Sequence, residues 1–377
     1  MTGPLAGIRV VEFSGLGPTP FVCMMLADMG AEVLRVDRRG AQAFGGGDER
    51  FNYLNRSRPS IELDLKSAED LALALELIGK ADVLVEGFRP GAMERLDLGP
   101  DRLTKLNDRL IYARMTGWGQ TGPLAHKAGH DINYLSLTGA LYLMGPHDGP
   151  PVPPINLAAN FGGGGMMMLS GILAALVERS TSGRGQVVDA AMLDGASLLL
   201  TQIFAWSRMG RWHEGRGGNV LDGSAYFYRC YETADGGFIA VGALEPQFHA
   251  AFVTGLGFDP AEFADHLDPS HWTERTARIE PIVRSRTRDQ WVAHFEGLDA
   301  CVTPVLSPDE ALVHPANVER HVHVAVDGAL QPAPAPRLSR TPAEISSAPG
   351  LPGEGGDARL KAWGVDRTRG TGLAQAS

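Results

Sequence analysis

The sequence predicts an α/β protein with a large, doubly wound, Rossmann-like domain and a smaller α+β domain. Short apolar runs alternate with helical patterns over residues 1–120, which is typical of a parallel sheet covered by helices. The chain has 377 residues, a length that suggests two domains at about 150 residues each. Its composition, 44% hydrophobic and 21% charged, is that of a folded globular protein.

The elements of the large domain follow from its apolar runs and the turns that flank them. Gly30 is suited to end the first helix, and a capping pattern that begins at Ser67 opens the second. The predicted strands are residues 8–13, 32–36, 82–86 and 110–115, and the predicted helices are residues 21–29, 67–79 and 100–107.

Beyond residue 134 the pattern becomes mostly helical. Residues 166–179 are apolar nearly all round, which predicts a buried helix rather than a surface one. The most apolar stretch, residues 165–177, is about 13 residues long and too short to span a bilayer. We therefore expect no membrane-spanning segment.

The smaller domain begins where the pattern changes near residue 226. Residues 226–231 and 238–241 flank the turn 234–237, which predicts a β-hairpin. Helices follow it, one of them opened by a capping-box pattern at residues 287–290.

The last part of the chain is predicted to return to the large domain. Residues 331–356 are rich in proline and therefore extended, and Trp363 beyond them indicates docking on a core. The expected domains are residues 1–222 for the large domain, completed by residues 326–377, and residues 223–325 for the small domain.

Charge and cysteine content limit the class of protein. The net charge of −10 argues against a duplex nucleic-acid partner, which requires a basic face. Three cysteines without a CxxC motif fit a reducing compartment, and the first residues carry no secretory signal. We expect a cytoplasmic protein.

Two patterns resemble cofactor or metal sites only weakly. The Gly-x-Gly run that begins at Gly15 has Pro20 where a dinucleotide fingerprint has its third glycine. The second pattern is a group of three histidines, His314, His321 and His323. It has neither the HxxxH spacing nor the paired thiolates of a zinc site. The sequence therefore predicts no nicotinamide, flavin or metal.

A run of four glycines at residues 162–165 precedes three methionines at residues 166–168. Methionine is flexible and suits surfaces that accept variable apolar ligands, but it is also common in cores. The glycines would let a ligand or another backbone segment approach closely. Both interpretations of this segment remain open.

The densest polar run surrounds His130, with Gly129 and Asp131 beside it and Asn133 and Tyr134 close behind. Such surroundings suit a histidine that acts as a general base, although a lone histidine is as often structural.

A carboxylate that could orient such a histidine is Glu245, at the end of an apolar strand where we expect burial to perturb it. A surface turn before Pro246 explains the same residues equally well.

Five motifs resemble those of the α-methylacyl-CoA racemase family, part of the family III CoA-transferase fold, and the resemblance covers nearly the whole chain. It implies two interlocked identical subunits and an acyl-CoA thioester substrate, with no separate cofactor. The motifs are residues 86–91 (EGFRPG), 110–123 (LIYARMTGWGQTGP), 128–134 (AGHDINY), 183–189 (GRGQVVD) and 243–248 (ALEPQF).

The resemblance also implies which residues bind CoA. Several are cations, which suit charge-assisted bonds to CoA phosphates inside an acidic protein. The glycine- and methionine-rich segment would face the acyl chain. The implied CoA-binding residues are Arg38, Leu63, Asp64, Leu65, Lys66, Gly87, Phe88, Arg89, Arg95, Gly129, Ile132, Asn133 and Tyr134.

Racemisation of such a thioester needs one base on each face of a planar enolate. The family's first base corresponds to His130, with Glu245 of the other subunit as its charge partner. Its second base, an aspartate, corresponds to Asn160, and an amide cannot accept a proton at neutral pH. Turnover could be impaired, a water or Asp131 could substitute, or His130 could work on one face alone.

The expected function is racemisation of 2-methylacyl-CoA thioesters, an isomerase reaction with Asn160 at the second base position. The alternative is a CoA-ester-binding protein with little turnover, which an amide at that position would explain. A CoA-transferase is disfavoured, because the missing carboxylate is also the nucleophile of those relatives.

Overall fold

A computed structural model describes residues 3–40, 47–213 and 215–367. The chain divides into two compact units. The α/β unit comprises residues 1–138, 155–199 and 318–377, and the second unit comprises residues 139–154 and 200–317.

The α/β unit is built on a six-stranded sheet in which every neighbouring pair is parallel. Its order is β3-β2-β1-β4-β5-β6, so the direction of winding reverses between β1 and β4. This confirms the predicted parallel, doubly wound sheet, in which ligands usually bind beyond the carboxyl ends of the strands at that reversal. The strands are β1 (Arg9–Phe13), β2 (Glu32–Arg38), β3 (Ser60–Leu63), β4 (Val83–Glu86), β5 (Ile111–Thr116) and β6 (Val187–Ala191).

Helices cover this sheet and continue beyond it. Proline occupies the first turn of α1 and of α4, where its fixed backbone angle and missing N–H are tolerated. The helices of the α/β unit are α1 (Pro18–Asp28), α2 (Ala68–Gly79), α3 (Ala92–Arg95), α4 (Pro100–Leu106), α5 (Asp131–Thr138), α6 (Met167–Ser182) and α7 (Met192–Leu199).

Leu157–Met166 forms a π-helix that runs directly into α6. The glycine run lies in it and packs against protein rather than open space: a Cβ on Gly163 would stand 2.6 Å from the Ala196 backbone N of α7, and one on Gly165 would stand 2.8 Å from the Phe21 ring. The close approach that these glycines allow is therefore to neighbouring helices.

The expectation that this helix is buried all round is wrong, and the apolar segment is longer than the sequence indicated. α6 is not buried all round, because Val177 is 72% exposed, and only one face packs on the unit. The π-helix and α6 together span Leu157–Ser182, 26 residues that are long and apolar enough to cross a membrane by length and composition. A helix of a soluble core passes the same test, and this one packs against α1, α5, α7 and β5 of the α/β unit.

The C-terminal segment lies on the α/β unit. It forms a hairpin of β10 (His323–Val326) and β11 (Ala329–Pro332), then an extended stretch, then α14 (Gly356–Ala362). Trp363 is 3% exposed, and its Nε1 donates to Glu32 Oε2 at 2.6 Å.

The second unit contains a three-stranded antiparallel sheet, β7 (Tyr228–Glu232), β8 (Phe238–Gly242) and β9 (Val302–Pro304). The predicted hairpin is β7–β8, and the predicted capping box at Thr287 opens a helix. Its helices are α8 (Thr201–Arg208), α9 (Pro246–Gly255), α10 (Trp272–Val283), α11 (Arg288–Phe295), α12 (Pro308–Val313) and α13 (Pro315–Glu319).

The observed units divide the chain at other residues than the expected domains. The second unit begins at residue 200 rather than 223, ends at 317 rather than 325, and includes the separate segment 139–154. Arg216 holds that segment in place, since its guanidinium donates to the carbonyl oxygens of Tyr142, Pro146 and Gly149.

Candidate active site

The carboxyl edge of the parallel sheet collects most of the residues implied in CoA binding. Arg38 is the last residue of β2, Lys66 follows the end of β3, and Arg89 follows the end of β4. β2 and β4 flank β1 in the sheet, and β3 lies beyond β2, so the three cations lie on neighbouring strand ends on both sides of the reversal between β1 and β4.

The cations of this edge differ from the buried arginines of the unit. Arg38, Lys66, Arg89 and Arg95 are exposed and form no salt bridge with any residue of the described ranges. Buried arginines of the same unit are paired; Arg58, for example, binds Glu12. An exposed and unpaired set of cations suits an anionic ligand such as a phosphate.

The other implied CoA-binding residues of these loops lie beside the cations: Leu63, Asp64, Leu65, Gly87 and Phe88. Leu63 is buried and Asp64 is exposed, and the Asp64 carboxylate accepts the backbone N–H of Lys66 at 3.1 Å. Leu65 and Phe88 are half-buried against the core.

The loop after β4 is held by a buried ion pair that the sequence did not reveal. Glu86 accepts the backbone N–H of Phe88 at 2.7 Å and the Nε of Arg114 at 2.8 Å. Burial raises the pKa of the Glu86 carboxyl, while these donors oppose the shift. Arg114 also binds Glu94, so one guanidinium joins β4, β5 and α3.

His130 immediately precedes α5 and is exposed. Its carbonyl oxygen accepts the N–H of Asn133 at 2.8 Å, and its own N–H donates to Asn133 Oδ1 at 3.0 Å. Asn133 therefore fixes the backbone of the histidine, and the imidazole stays on the surface. The neighbouring Ile132 is 43% exposed.

An aromatic clamp, Trp118 with Tyr134, holds the backbone on the other side of His130. The two rings meet edge to face with centroids 4.7 Å apart, and the Tyr134 hydroxyl donates to the Gly129 carbonyl. A Cβ on Gly129 would stand 2.8 Å from both rings, and one on Gly117 would stand 2.2 Å from the Tyr134 ring. In this chain the groups that approach Gly129 closely are these side chains.

Asp131 links His130 to the second base position. Its Oδ2 accepts the backbone N–H of Ala159 at 2.9 Å and that of Asn160 at 2.7 Å. Asp131 is buried, with an exposure of 5%. One carboxylate oxygen thus holds the backbone of the π-helix, which brings Asn160 beside the start of α5.

Asn160 is half-buried near the start of α1. Its Nδ2 lies 3.5 Å from where Gly17 would carry a Cβ, and its Oδ1 has no hydrogen-bond partner within the described ranges. Gly17 has φ of 70° and follows β1, so Asn160 lies at the same reversal of the sheet as the cations.

Glu245 lies in the second unit, directly before α9, and is exposed. The expectation that burial perturbs it is therefore wrong for this chain: β8 ends at Gly242, and Pro246 starts a helix at the surface. Its side chain makes no capping hydrogen bond to α9.

The histidines of the C-terminal part are spread over separate elements. His314 follows α12, His321 lies in a turn, and His323 begins β10. Within the described ranges, another group brings three potential metal ligands together at the surface: Asp265, Asp268 and His271.

Several supporting residues were missing from the sequence-based set: Trp118, Glu86 and Arg114. All three lie inside the recognised motifs, so the motif length was the available signal. Their contacts join segments 16 to 28 residues apart, which no local pattern shows.

Comparisons with known proteins identify the family of the chain. The family model described as CoA-transferase family III matches residues 5–358. An alpha-methylacyl-CoA racemase of Mus musculus is 47% identical over 91% of this chain and 88% of its own length, and that of Homo sapiens is 44% identical over 90% and 87%. A CaiB/BaiF family protein from Brucella suis shares the fold, with a TM-score of 0.83, 24% identity, and coverage of 96% of this chain and 100% of its own. The chain belongs to CoA-transferase family III.

Proposed function

We propose that this protein racemises 2-methylacyl-CoA thioesters by removing and returning the α-proton. The observation that carries the proposal is the placement of an exposed His130 directly before α5. The next residue, Asp131, accepts the backbone N–H of Asn160 and so links the two positions. The unpaired cations at the same edge of the sheet suit the CoA phosphates. The two racemases named above, at 47% and 44% identity, support this reaction class.

The chemistry follows from what this edge offers. A neutral imidazole at His130 accepts the α-proton, and the electrons move into the thioester carbonyl to give an enolate. The N–H groups of Asn133 and Tyr134 donate to the His130 carbonyl. This leaves those of Asp131 and Ile132 at the start of α5 without an intrahelical acceptor, and the helix dipole favours negative charge there. They are suited to stabilise the enolate oxygen. The thioester carries every reacting group, so the reaction requires no separate cofactor.

Asn160 makes the two faces of the enolate unequal. An amide neither accepts nor releases a proton at neutral pH, so the proton on that face comes from solvent. Asp131 is fixed in place, because its Oδ2 accepts two backbone N–H groups of the π-helix, and its Oδ1 is buried without a hydrogen-bond partner in the described ranges. Proton exchange at the His130 face should therefore be faster than inversion.

We also propose that the active protein is an interlocked homodimer in which Glu245 of the partner subunit balances the charge of His130. The π-helix, α6 and α7 leave large apolar side chains exposed, among them Leu157, Val177 and Leu199. An apolar surface of this kind is usually covered by protein. Light scattering after gel filtration should give twice the chain mass of 40.3 kDa; a monomer would contradict the dimer. A cytoplasmic location remains part of the proposal.

The test is incubation of one enantiomer of a 2-methylacyl-CoA in deuterated buffer, with α-deuteration followed by mass spectrometry and configuration by chiral separation. Deuteration with slower inversion supports the proposal. A bound thioester that acquires no deuterium would instead show a CoA-ester-binding protein, the alternative that Asn160 favours.

A further inference from the structure

The turn that carries Glu245 rests on two buried histidines of the second unit. His266, 7% exposed, places its Nε2 3.1 Å from the carbonyl oxygen of Leu244. A carbonyl accepts, so this imidazole nitrogen donates. On the other side, the backbone N–H of His249 donates to the carbonyl oxygen of Glu245 at 2.9 Å. The peptide group before Glu245 is thus held by the His266 side chain, and the carbonyl after it by the first backbone hydrogen bond of α9.

The two imidazoles support each other. Their rings stack with centroids 4.3 Å apart and planes 17° apart. His249 Nε2 lies 2.7 Å from the Tyr226 hydroxyl, and Trp272 Nε1 donates to the His266 carbonyl at 2.7 Å. Burial lowers the pKa of His249 to about 4, so the pair contains at least one neutral ring at pH 7. His266 is therefore fixed through both its ring and its main chain.

The Glu245 side chain does not stabilise the start of α9. Its carboxylate makes no capping hydrogen bond, and Pro246 occupies the first helical position of α9. The Glu245 carboxylate is exposed, while the backbone that carries it is held rigidly. A side chain that must meet another group at a fixed position requires such a rigid backbone.

We propose that His266 is a positioning residue that holds the Leu244–Glu245 turn so that the Glu245 carboxylate meets His130 of the partner subunit. This inference rests on the proposed function, since it assumes that Glu245 acts in the reaction. It assigns His266 a role through the Leu244 carbonyl and no contact with substrate.

The test compares His266→Phe, which keeps an aromatic ring but removes the N–H, with His266→Gln, which retains a side-chain N–H donor. His294→Phe is the matched control, because His294 Nε2 also lies 2.7 Å from a backbone carbonyl oxygen, that of Gly255. We expect His266→Phe to lower kcat for α-deuteration on the order of 10- to 100-fold with KM unchanged. His266→Gln should recover part of the rate, and His294→Phe should keep kcat.

A double-mutant cycle with Glu245→Gln separates the proposed role of Glu245 in the reaction from the proposed positioning role of His266. If His266 acts through Glu245, His266→Phe slows the Glu245→Gln protein no further. A slow Glu245→Gln with a fast His266→Phe, or fully multiplicative losses, would overturn the inference alone. An unchanged rate in Glu245→Gln would remove Glu245 from the reaction and overturn both.

Discussion

The start of α5 in the α/β unit and the start of α9 in the second unit solve the same problem with different chemistry. Each places one exposed polar side chain, His130 or Glu245, directly before a helix on a fixed backbone. Beneath His130 the support is a buried carboxylate, Asp131, and an aromatic clamp. Beneath Glu245 it is a stacked pair of histidines. The two supports should therefore respond differently to mutation and to pH.

The largest effect is expected at the first of these two regions. His130→Ala removes the base, so α-deuteration of a bound 2-methylacyl-CoA should fall on the order of 10²- to 10⁴-fold. Thioester affinity, measured by calorimetry, should change little, because the proposed phosphate contacts lie on the strand ends. An unchanged deuteration rate would remove His130 from the mechanism.

The second prediction concerns the face opposite His130. Asn160→Asp supplies a carboxylate that can carry a proton, so inversion should rise on the order of 10²-fold or more. The backbone N–H of residue 160 still reaches Asp131, which leaves the π-helix in place. Chiral analysis of the product measures the effect, and a variant that is no faster would show that residue 160 does not occupy the second base position.

A smaller effect is expected from the clamp beneath His130. Gly129→Ala adds a Cβ 2.8 Å from both the Trp118 and Tyr134 rings, which should cost about 1 to 3 kcal/mol of unfolding free energy and lower kcat. Gly79→Ala is the control, because a Cβ there meets no other atom within 4 Å. Equal urea midpoints for the two variants would show that the clamp is loose.

The smallest expected effect is a pH dependence of the unfolding free energy that arises from His249, one of the two stacked histidines near Glu245. Burial lowers the pKa of His249 from 6.5 to about 4, so the unfolded chain binds the proton first. Stability should therefore fall as pH drops from 6.5 towards 4, by at most about 1.4 kcal/mol per pH unit from this group. Urea unfolding at pH 7 and pH 5 measures it.

The control for that measurement is His249→Phe, which should flatten the dependence between pH 6.5 and 4.5. Glu310, whose pKa Arg288 lowers to about 2, contributes below that window. An identical slope in both proteins would show that His249 titrates normally in the folded chain.

The sequence predicted the strands whose apolar runs are continuous, β1, β2, β4 and β5, but not β3 or β6. β3 (SIEL) contains only two apolar residues, and Asp189 interrupts β6 (VVDAA), so neither is a continuous apolar run. The π-helix was missed because a glycine-rich run has no side-chain period. Glu245 was expected to be buried because the strand before it is apolar; the helix that starts at Pro246 carries it to the surface instead.

The candidate site was predictable where a motif holds the residue and its neighbours together. His130 and Arg89 lie in such motifs, and the structure shows them at the start of a helix and after the end of a strand. The role of Asp131 was not predictable, because its partners lie 28 and 29 residues away on the π-helix. Tyr134, implied in CoA binding, is 5% exposed and donates to Gly129.

The central claim is that His130 and Asn160 present a working base on one face of the enolate and an amide on the other. The most direct measurement is the ratio of α-deuteration to inversion for one 2-methylacyl-CoA enantiomer, in this chain and in Asn160→Asp. The account predicts a ratio well above one in this chain and a ratio close to one in the variant. The same ratio in both proteins would contradict it.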